Sequence, residues 1–291
     1  MSASINRKLR ELVERRSATL IPGVANALAA RVVEDLGFEA VYLSGAGLSN
    51  TFLGLPDLGF VGLPELVQHT AAIRNVVDLP IIVDADTGFG NALNVGHTVR
   101  ALERAGASAV QLEDQVSPKR CGHFEGKSVI PAGEMVQKVR AAAEARVDPD
   151  FLVIARTDAR ATLGIDAALD RAQAYVEAGA DVTFVEAPES LEELMAIPKR
   201  VAAPQVVNMV VGGKTPIVEL AQLRQARFAL VLYANVALQG AVHGMQAALR
   251  QLRDEGRLDE SGPVAPFRER QRLVGKAEFD ALEKRYASRE E

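Results

Sequence analysis

Eight times between residues 19 and 233, a short apolar run rich in β-branched residues gives way to a longer stretch of helical periodicity. Few folds accommodate that rhythm. The expected strands are 19–24, 40–45, 80–86, 109–114, 151–158, 182–187, 205–210 and 228–233. Runs such as IIVDAD and FLVIARTD are almost wholly apolar rather than alternating, as parallel strands covered on both faces are. Helical stretches are expected at 26–36, 63–77, 94–105, 133–146, 166–178 and 191–199. Within 166–178, Ala167, Leu169, Ala172 and Val176 recur near the helical period, with Arg171 and Glu177 between them. Glycines at 37, 106 and 179 follow helices and precede strands, where a left-handed residue turns the chain back toward the sheet.

Eight such units with no low-complexity linker predict one α/β domain over residues 1–291, a (β/α)8 TIM barrel. The barrel is expected at about 19–252, with extra C-terminal helices at about 253–291. A doubly wound open sheet is the architectural alternative. A helix is expected at 236–252, a polar break at 255–263 and another helix at 267–286. These exceed what a minimal barrel needs, and pack either on their own barrel or on a neighbouring subunit.

Charge and cysteine content narrow the function classes. With 33 basic against 38 acidic residues, the net charge is −5 and no basic block stands out, which argues against nucleic acid and anionic membranes as partners. No apolar run approaches 18 residues, and residues 1–16 are polar with no signal-type apolar core. The single cysteine, Cys121, suits a reducing compartment, so a cytoplasmic protein is expected.

In a barrel, the active site lies at the C-terminal ends of the strands. Those ends carry Tyr42, Ser44 and Gly45; Asp84 and Asp86; Glu113 and Asp114; Arg156 and Asp158; Glu186; and Asn208. Burying so many charges is costly unless they partner one another, a metal or a ligand. Asp84 and Asp86 alternate with Ala85 and so can face the same side; with Glu113 they offer an all-oxygen cluster suited to Mg2+ or Mn2+. The structural alternative for each carboxylate is capping of a βα loop. Zinc is disfavoured, because Cys121 and the four histidines lack tetrahedral ligand spacing.

The run Lys119, Arg120, Cys121, Gly122, His123 follows the fourth expected strand. Neighbouring cations lower a thiol's pKa, and glycine lets backbone approach a ligand closely. Such a thiol can move a proton or act as a nucleophile; the plainer reading is a basic loop with an incidental cysteine. Arg156 offers a planar fork for a substrate carboxylate, or a salt bridge to Glu186, or both. The run at 212–215, GGKT, lacks the glycine spacing of a phosphate loop. His97 and His243 lie on expected helices and read as packing or solvated residues, whereas Asn235 can reach the barrel mouth.

These residues resemble the isocitrate lyase/phosphoenolpyruvate mutase superfamily over nearly the whole chain. The matching runs are YLSG at 42–45, LGLPDLG at 53–59, DADTGFG at 84–90, LEDQ at 112–115, KRCGH at 119–123, ARTDA at 155–159 and NMV at 208–210. KRCGH is the most specific, and resembles the short lyase branch.

The resemblance implies a barrel in a dimer or tetramer, often with a helix exchanged between subunits. It also implies Mg2+-dependent cleavage of a C–C bond in a 2-hydroxy di- or tricarboxylate of the 2-methylisocitrate or 2,3-dimethylmalate type. By the same resemblance, Asp84, Asp86 and Glu113 form the metal cluster, while Ser44, Gly45 and Ala46 cradle the 2-oxo-acid half. Arg156, Glu186 and Asn208 hold the polar end, with Tyr42, Asp57, Arg120 and Gly122 completing the contacts. Cys121 protonates the released enolate-like carboxylate from a mobile loop shared with Lys119 and His123. The alternative within the family is an oxaloacetate hydrolase or decarboxylase, or a P–C bond enzyme, which Phe124–Lys127 resembles. A further reading is a catalytically silent binding barrel, against which the intact Asp84, Asp86, Cys121 and Arg156 argue. Val211 stands where relatives commonly carry Glu, and Ala234-Asn235 where they carry Pro or Ser.

Overall fold

The computed structural model describes residues 4–122 and 126–287. Eight parallel strands close on themselves in chain order: β1 (Thr19–Val24), β2 (Val41–Leu43), β3 (Ile81–Asp84), β4 (Ala109–Glu113), β5 (Leu152–Thr157), β6 (Val182–Val185), β7 (Gln205–Asn208) and β8 (Leu230–Tyr233). The β1–β8 pairing, Thr19 opposite Leu230 through Pro22 opposite Tyr233, closes the barrel and excludes the open sheet.

Around it run α1 (Ile5–Arg15), α2 (Ala27–Asp35), α3 (Gly45–Leu48), α4 (Leu63–Arg74), α5 (Ala92–Arg104), α6 (Ala132–Ala145) and α7 (Arg160–Leu163). They continue with α8 (Ile165–Glu177), α9 (Leu191–Arg200), α10 (Leu220–Gln225), α11 (Val236–Glu255), α12 (Phe267–Leu273) and α13 (Lys276–Tyr286). A π-helical turn, Ser49–Leu53, follows α3.

The barrel interior is filled by Ile21, Tyr42, Ile82, Ile154, Phe184 and Leu230, all buried. Helix α1 joins that interior cluster through Leu9, Leu12 and Val13. The residues 1–16 that read as merely polar thus contain a helix whose apolar stripe is only three residues wide, capped by Ser4 accepting from the Arg7 amide. Outside the strands, α5 and α6 bury Val95, Val99, Leu102, Met135 and Val139 against the barrel. In α8 the deepest residues are Ala168, Leu169, Ala172 and Tyr175, so the buried face sits slightly rotated from the expected one, leaving Ala167 and Val176 half-buried.

Most strands end a residue or more before the sequence suggests. At β2, Ser44 leaves the ladder because its hydroxyl caps α3, accepting from the Gly47 amide at 3.0 Å. Past β3, Asp86 takes a left-handed backbone conformation (φ 48°), which turns its carboxylate out of the strand's alternation.

The C-terminal helices behave differently. Helix α11 has 20 residues and buries none of them, with Met245 54 % and Leu249 62 % exposed. The single helix expected at 267–286 is two, divided at Gly275 in the left-handed region (φ 71°). Arg272 ties α12 to α2 through both oxygens of Asp35, at 2.6 and 2.7 Å. Among the described residues, no helix is long and apolar enough to cross a membrane.

Candidate active site

The strand ends and the loops beyond them enclose a cavity of about 210 Å3. On one side stand Tyr42, Ser44, Ala46, Asp57, Asp84 and Lys119; on the other, Cys121, Gly122, Arg156, Glu186 and Asn208. Phe184, Val210, Val211, Leu232 and Ala234 supply apolar wall.

The acidic side is built on β2 and β3. Asp84 accepts from the amides of Gly45 (3.4 Å) and Asp86 (3.3 Å) and from Gln111 Nε2 (3.4 Å). A methyl group on Gly45 would stand 3.2 Å from both Asp84 Oδ2 and Asp86 Oδ1, so the two carboxylates converge over this glycine. Lys119 Nζ lies 2.6 Å from Asp57 Oδ1 and 2.9 Å from Asp86 Oδ1, with its side chain only 5 % exposed. Burial, reinforced by repulsion from Asp84 and Asp57, pushes the Asp86 carboxyl up to about 7 despite the pull of Lys119. The same crowd of carboxylates overrides burial at Lys119 and holds its ammonium protonated well above the ordinary lysine range. The Tyr42 phenol, buried beside Asp84, is likewise pushed upward and stays protonated.

The opposite side centres on Arg156 from β5. Its Nε and Nη2 donate to the two oxygens of Asp158 at 2.8 and 3.0 Å. Its Nη1 lies 3.1 Å from Glu186 Oε2, and Nε lies 3.3 Å from Glu113 Oε2. The ring of Phe184 sits under the guanidinium, 5.2 Å from Cζ to centroid. Burial would raise Asp158, but Arg156 and Lys127 outweigh it and hold the carboxyl at about 2. Burial pushes Glu113 well up, with Arg156 opposing and Asp158 reinforcing. Beneath these groups Asp114 is wholly buried, accepting from Thr157 Oγ1 and Tyr175 OH at 2.7 Å and from Arg171 at 3.1 Å. Its other oxygen receives the Asp158 amide at 2.9 Å.

Three expectations change. The fork of Arg156 is engaged by Asp158, leaving only the Nη1 edge, beside Glu186, for a substrate carboxylate. Glu113 does not close a three-carboxylate cage with Asp84 and Asp86: one of its oxygens, Oε2, lies against Arg156, and no three potential ligands already converge on one point among the described residues. Arg120 does not line the cavity. It is exposed, and its backbone is held by the Gln115 amide group through bonds of 3.0 and 2.8 Å. His123 lies outside the described residues.

Sequence reasoning missed Lys127, a buried cation on Asp158, because nothing in a loop sequence says which carboxylate a lysine reaches. It also left out Phe184, which shares the inward face of β6 with Glu186 and was findable from that alternation. Asn235 does reach the mouth, accepting from Ser44 Oγ at 3.2 Å.

A divalent cation fits this donor set. Six carboxylates (Asp57, Asp84, Asp86, Glu113, Asp158 and Glu186) face three cations (Lys119, Lys127 and Arg156), leaving surplus negative charge in a largely buried space. Mg2+ needs only one or two carboxylates and keeps waters for exchange, so Asp84 and Asp86 suffice without a closed cage.

A family model described as phosphoenolpyruvate phosphomutase matches residues 9–253. A 2-methylisocitrate lyase of Aeropyrum pernix is 48 % identical over 248 residues, covering 85 % of this chain and 80 % of that one. A 2,3-dimethylmalate lyase of Eubacterium barkeri is 42 % identical over 282 residues, covering 97 % and 98 %. A crystal structure of 2,3-dimethylmalate lyase superposes with a TM-score of 0.92 at 33 % identity, covering 99 % of this chain and 97 % of that one. With the barrel, the converging Asp84 and Asp86, and Lys119, Cys121 and Gly122 at its mouth, these likenesses mean that the chain belongs to the isocitrate lyase/phosphoenolpyruvate mutase superfamily.

Proposed function

We propose that this chain, a carbon–carbon lyase of its superfamily, cleaves a 2-hydroxy di- or tricarboxylate of the 2-methylisocitrate or 2,3-dimethylmalate type into a 2-oxo acid plus a second carboxylate, with Mg2+ as cofactor and Mn2+ as substitute. The observation that carries this reading is the convergence of paired aspartates, two buried cations and a thiol on one small cavity. Bound at Asp84 and Asp86, Mg2+ would polarise the carbonyl that develops on the 2-oxo acid.

The chain's own groups account for the rest. Ser44 and Ala46 face the 2-oxo-acid half, with Gly45 between them against Asp84 and Asp86, and the protonated Tyr42 phenol can donate to its oxygens. Lys119 and the Nη1 edge of Arg156 are fixed positive charges where negative charge develops as the C–C bond breaks. As the substrate hydroxyl becomes the new carbonyl it gives its proton to the carboxylate wall of Asp57, Asp84 and Asp86, and the electron pair of the broken C–C bond passes to the carbon beside the departing carboxylate. Cys121, half-buried on the cavity wall, delivers a proton there. His123, next to Gly122 in the same run, is assigned to the same proton path by resemblance. The small cavity suits a short polycarboxylate.

The exposed apolar face of α11 and the groove of about 820 Å3 beside it, lined by Ala25, Ala29, Ala237, Val242 and Met245, support a homo-oligomer of this single-domain chain. A cytoplasmic site of action and a small carboxylate as substrate complete the reading.

The test is turnover of 2-methylisocitrate, 2,3-dimethylmalate, isocitrate, citramalate, oxaloacetate and phosphonopyruvate, each with Mg2+ and with EDTA and each analysed for both products. EDTA-sensitive cleavage of one hydroxy acid is the expected result. Turnover of oxaloacetate or phosphonopyruvate alone would overturn the lyase reading in favour of a hydrolase or P–C enzyme.

A further inference from the structure

Gly122 is packed more tightly than the loop around it requires. A methyl group there would stand 2.3 Å from Arg156 Nη2 and 2.7 Å from Glu186 Cγ, so the backbone lies directly on the two groups that close this side of the cavity. Cys121, the next residue back, lines the same cavity. Whatever fixes Gly122 therefore fixes the thiol relative to Arg156.

Lys127 does this from five residues downstream. Its ammonium donates to the Gly122 carbonyl and, at 2.8 Å, to Asp158 Oδ1, the oxygen that also accepts from Arg156 Nη2 at 3.0 Å. The Lys127 side chain is 2 % exposed and that of Asp158 is wholly buried. Asp158 is in turn anchored to β4 through its amide on Asp114. One buried carboxylate thus aligns the substrate-side arginine by a fork and the thiol-bearing backbone through a lysine.

We propose that Lys127 is a positioning residue: by bridging Asp158 and the Gly122 carbonyl it sets the place of Cys121 against Arg156. Its role in turnover rests on the lyase reading; its role in holding the thiol does not. A misplacement on the ångström scale suffices to slow chemistry without weakening binding. A buried ion pair that only held the fold together would lower stability and leave the thiol where it is.

Cys121 is the only cysteine of the chain, so its alkylation by iodoacetamide reports on the thiol alone and needs no substrate. Lys127→Met, assayed well below its unfolding temperature, is expected to alkylate at least about threefold faster than the wild type, because the backbone beside the thiol is released. With a hydroxy acid that the wild type cleaves, it is expected to lose roughly tenfold to a hundredfold in kcat, with KM within about twofold. Wild-type alkylation and kcat in a folded Lys127→Met would overturn the proposal. Should that variant fail to fold, Lys127→Arg decides. It keeps the charge on Asp158, but its planar head cannot occupy the same bridging point, so faster alkylation supports the proposal and an unchanged rate overturns it. If the wild type cleaves no hydroxy acid, the lyase reading falls while the alkylation rates still judge Lys127.

Discussion

The two walls of the cavity meet the same problem, buried charge, to different degrees, as Asp158 on one and Asp86 on the other show. Around Arg156 the carboxylate of Asp158 is satisfied: it receives a fork and an ammonium and is held at about 2, while Glu113 at the edge of the same group is pushed up by burial. Around Lys119 the balance is worse, for burial, reinforced by Asp84 and Asp57, pushes Asp86 up to about 7 despite the lysine. The Asp158 end of the satisfied wall is preorganised and has little capacity left for a new ion. The frustrated wall holds negative charge that one lysine does not neutralise, and this is where a divalent cation gains most.

Removing charge should therefore act oppositely on the two walls. The largest effect on turnover is expected on the frustrated side. Asp86→Asn should lower kcat by about 10²–10³-fold, measured by 2-oxo-acid release. The same variant should leave the thermal unfolding temperature of metal-free protein unchanged or raised, because it relieves repulsion. Cys121→Ser tests the proton path at the seam between the walls, with an expected loss of about 10²–10⁴-fold in kcat and little change in stability. Retained turnover would remove the thiol from the mechanism.

Asp158→Asn strikes the satisfied wall, and its first consequence is on the fold. Leaving Arg156 and Lys127 buried without their shared carboxylate should cost about 3–5 kcal/mol, read from denaturant unfolding. The same group gives a pH signature. Its folded pKa of about 2 lies below the ordinary 3.8, so its contribution is complete above pH 4 and lost as pH falls from about 4 to about 2. That contribution is roughly 2 kcal/mol, and acid unfolding of Asp158→Asn should lack this component. The smallest effect on stability is expected far from both walls. Leu249→Lys on α11 should change monomer stability by less than about 0.5 kcal/mol while shifting the sedimentation coefficient toward a smaller species.

The barrel was legible because burial on both faces forces each strand to be a nearly unbroken apolar run, and every run called from residue 19 to 233 is a strand. Strand ends were less legible, because a capping hydroxyl at Ser44 and a left-handed Asp86 are local choices that hydropathy does not register. The site was readable where a side chain projects directly from a strand end, as with Asp84, Arg156, Glu186 and Asn208. It was unreadable where partnership depends on which of several charges a loop brings within reach. Arg156 reads equally as a free fork or a bridge until Asp158 takes the fork, and Arg120 and Lys127 read as equivalent loop cations until one is exposed and the other buried. Helix α1 escaped because two turns of apolar stripe are lost among its charges.

The most direct test of the contrast between the walls is the electron paramagnetic resonance of Mn2+ titrated into wild type, Asp86→Asn and Asp158→Asn, without substrate. One saturable Mn2+ site that Mg2+ displaces is expected in the wild type, lost or greatly weakened in Asp86→Asn and retained in folded Asp158→Asn. Equal Mn2+ binding by Asp86→Asn and wild type would contradict that contrast.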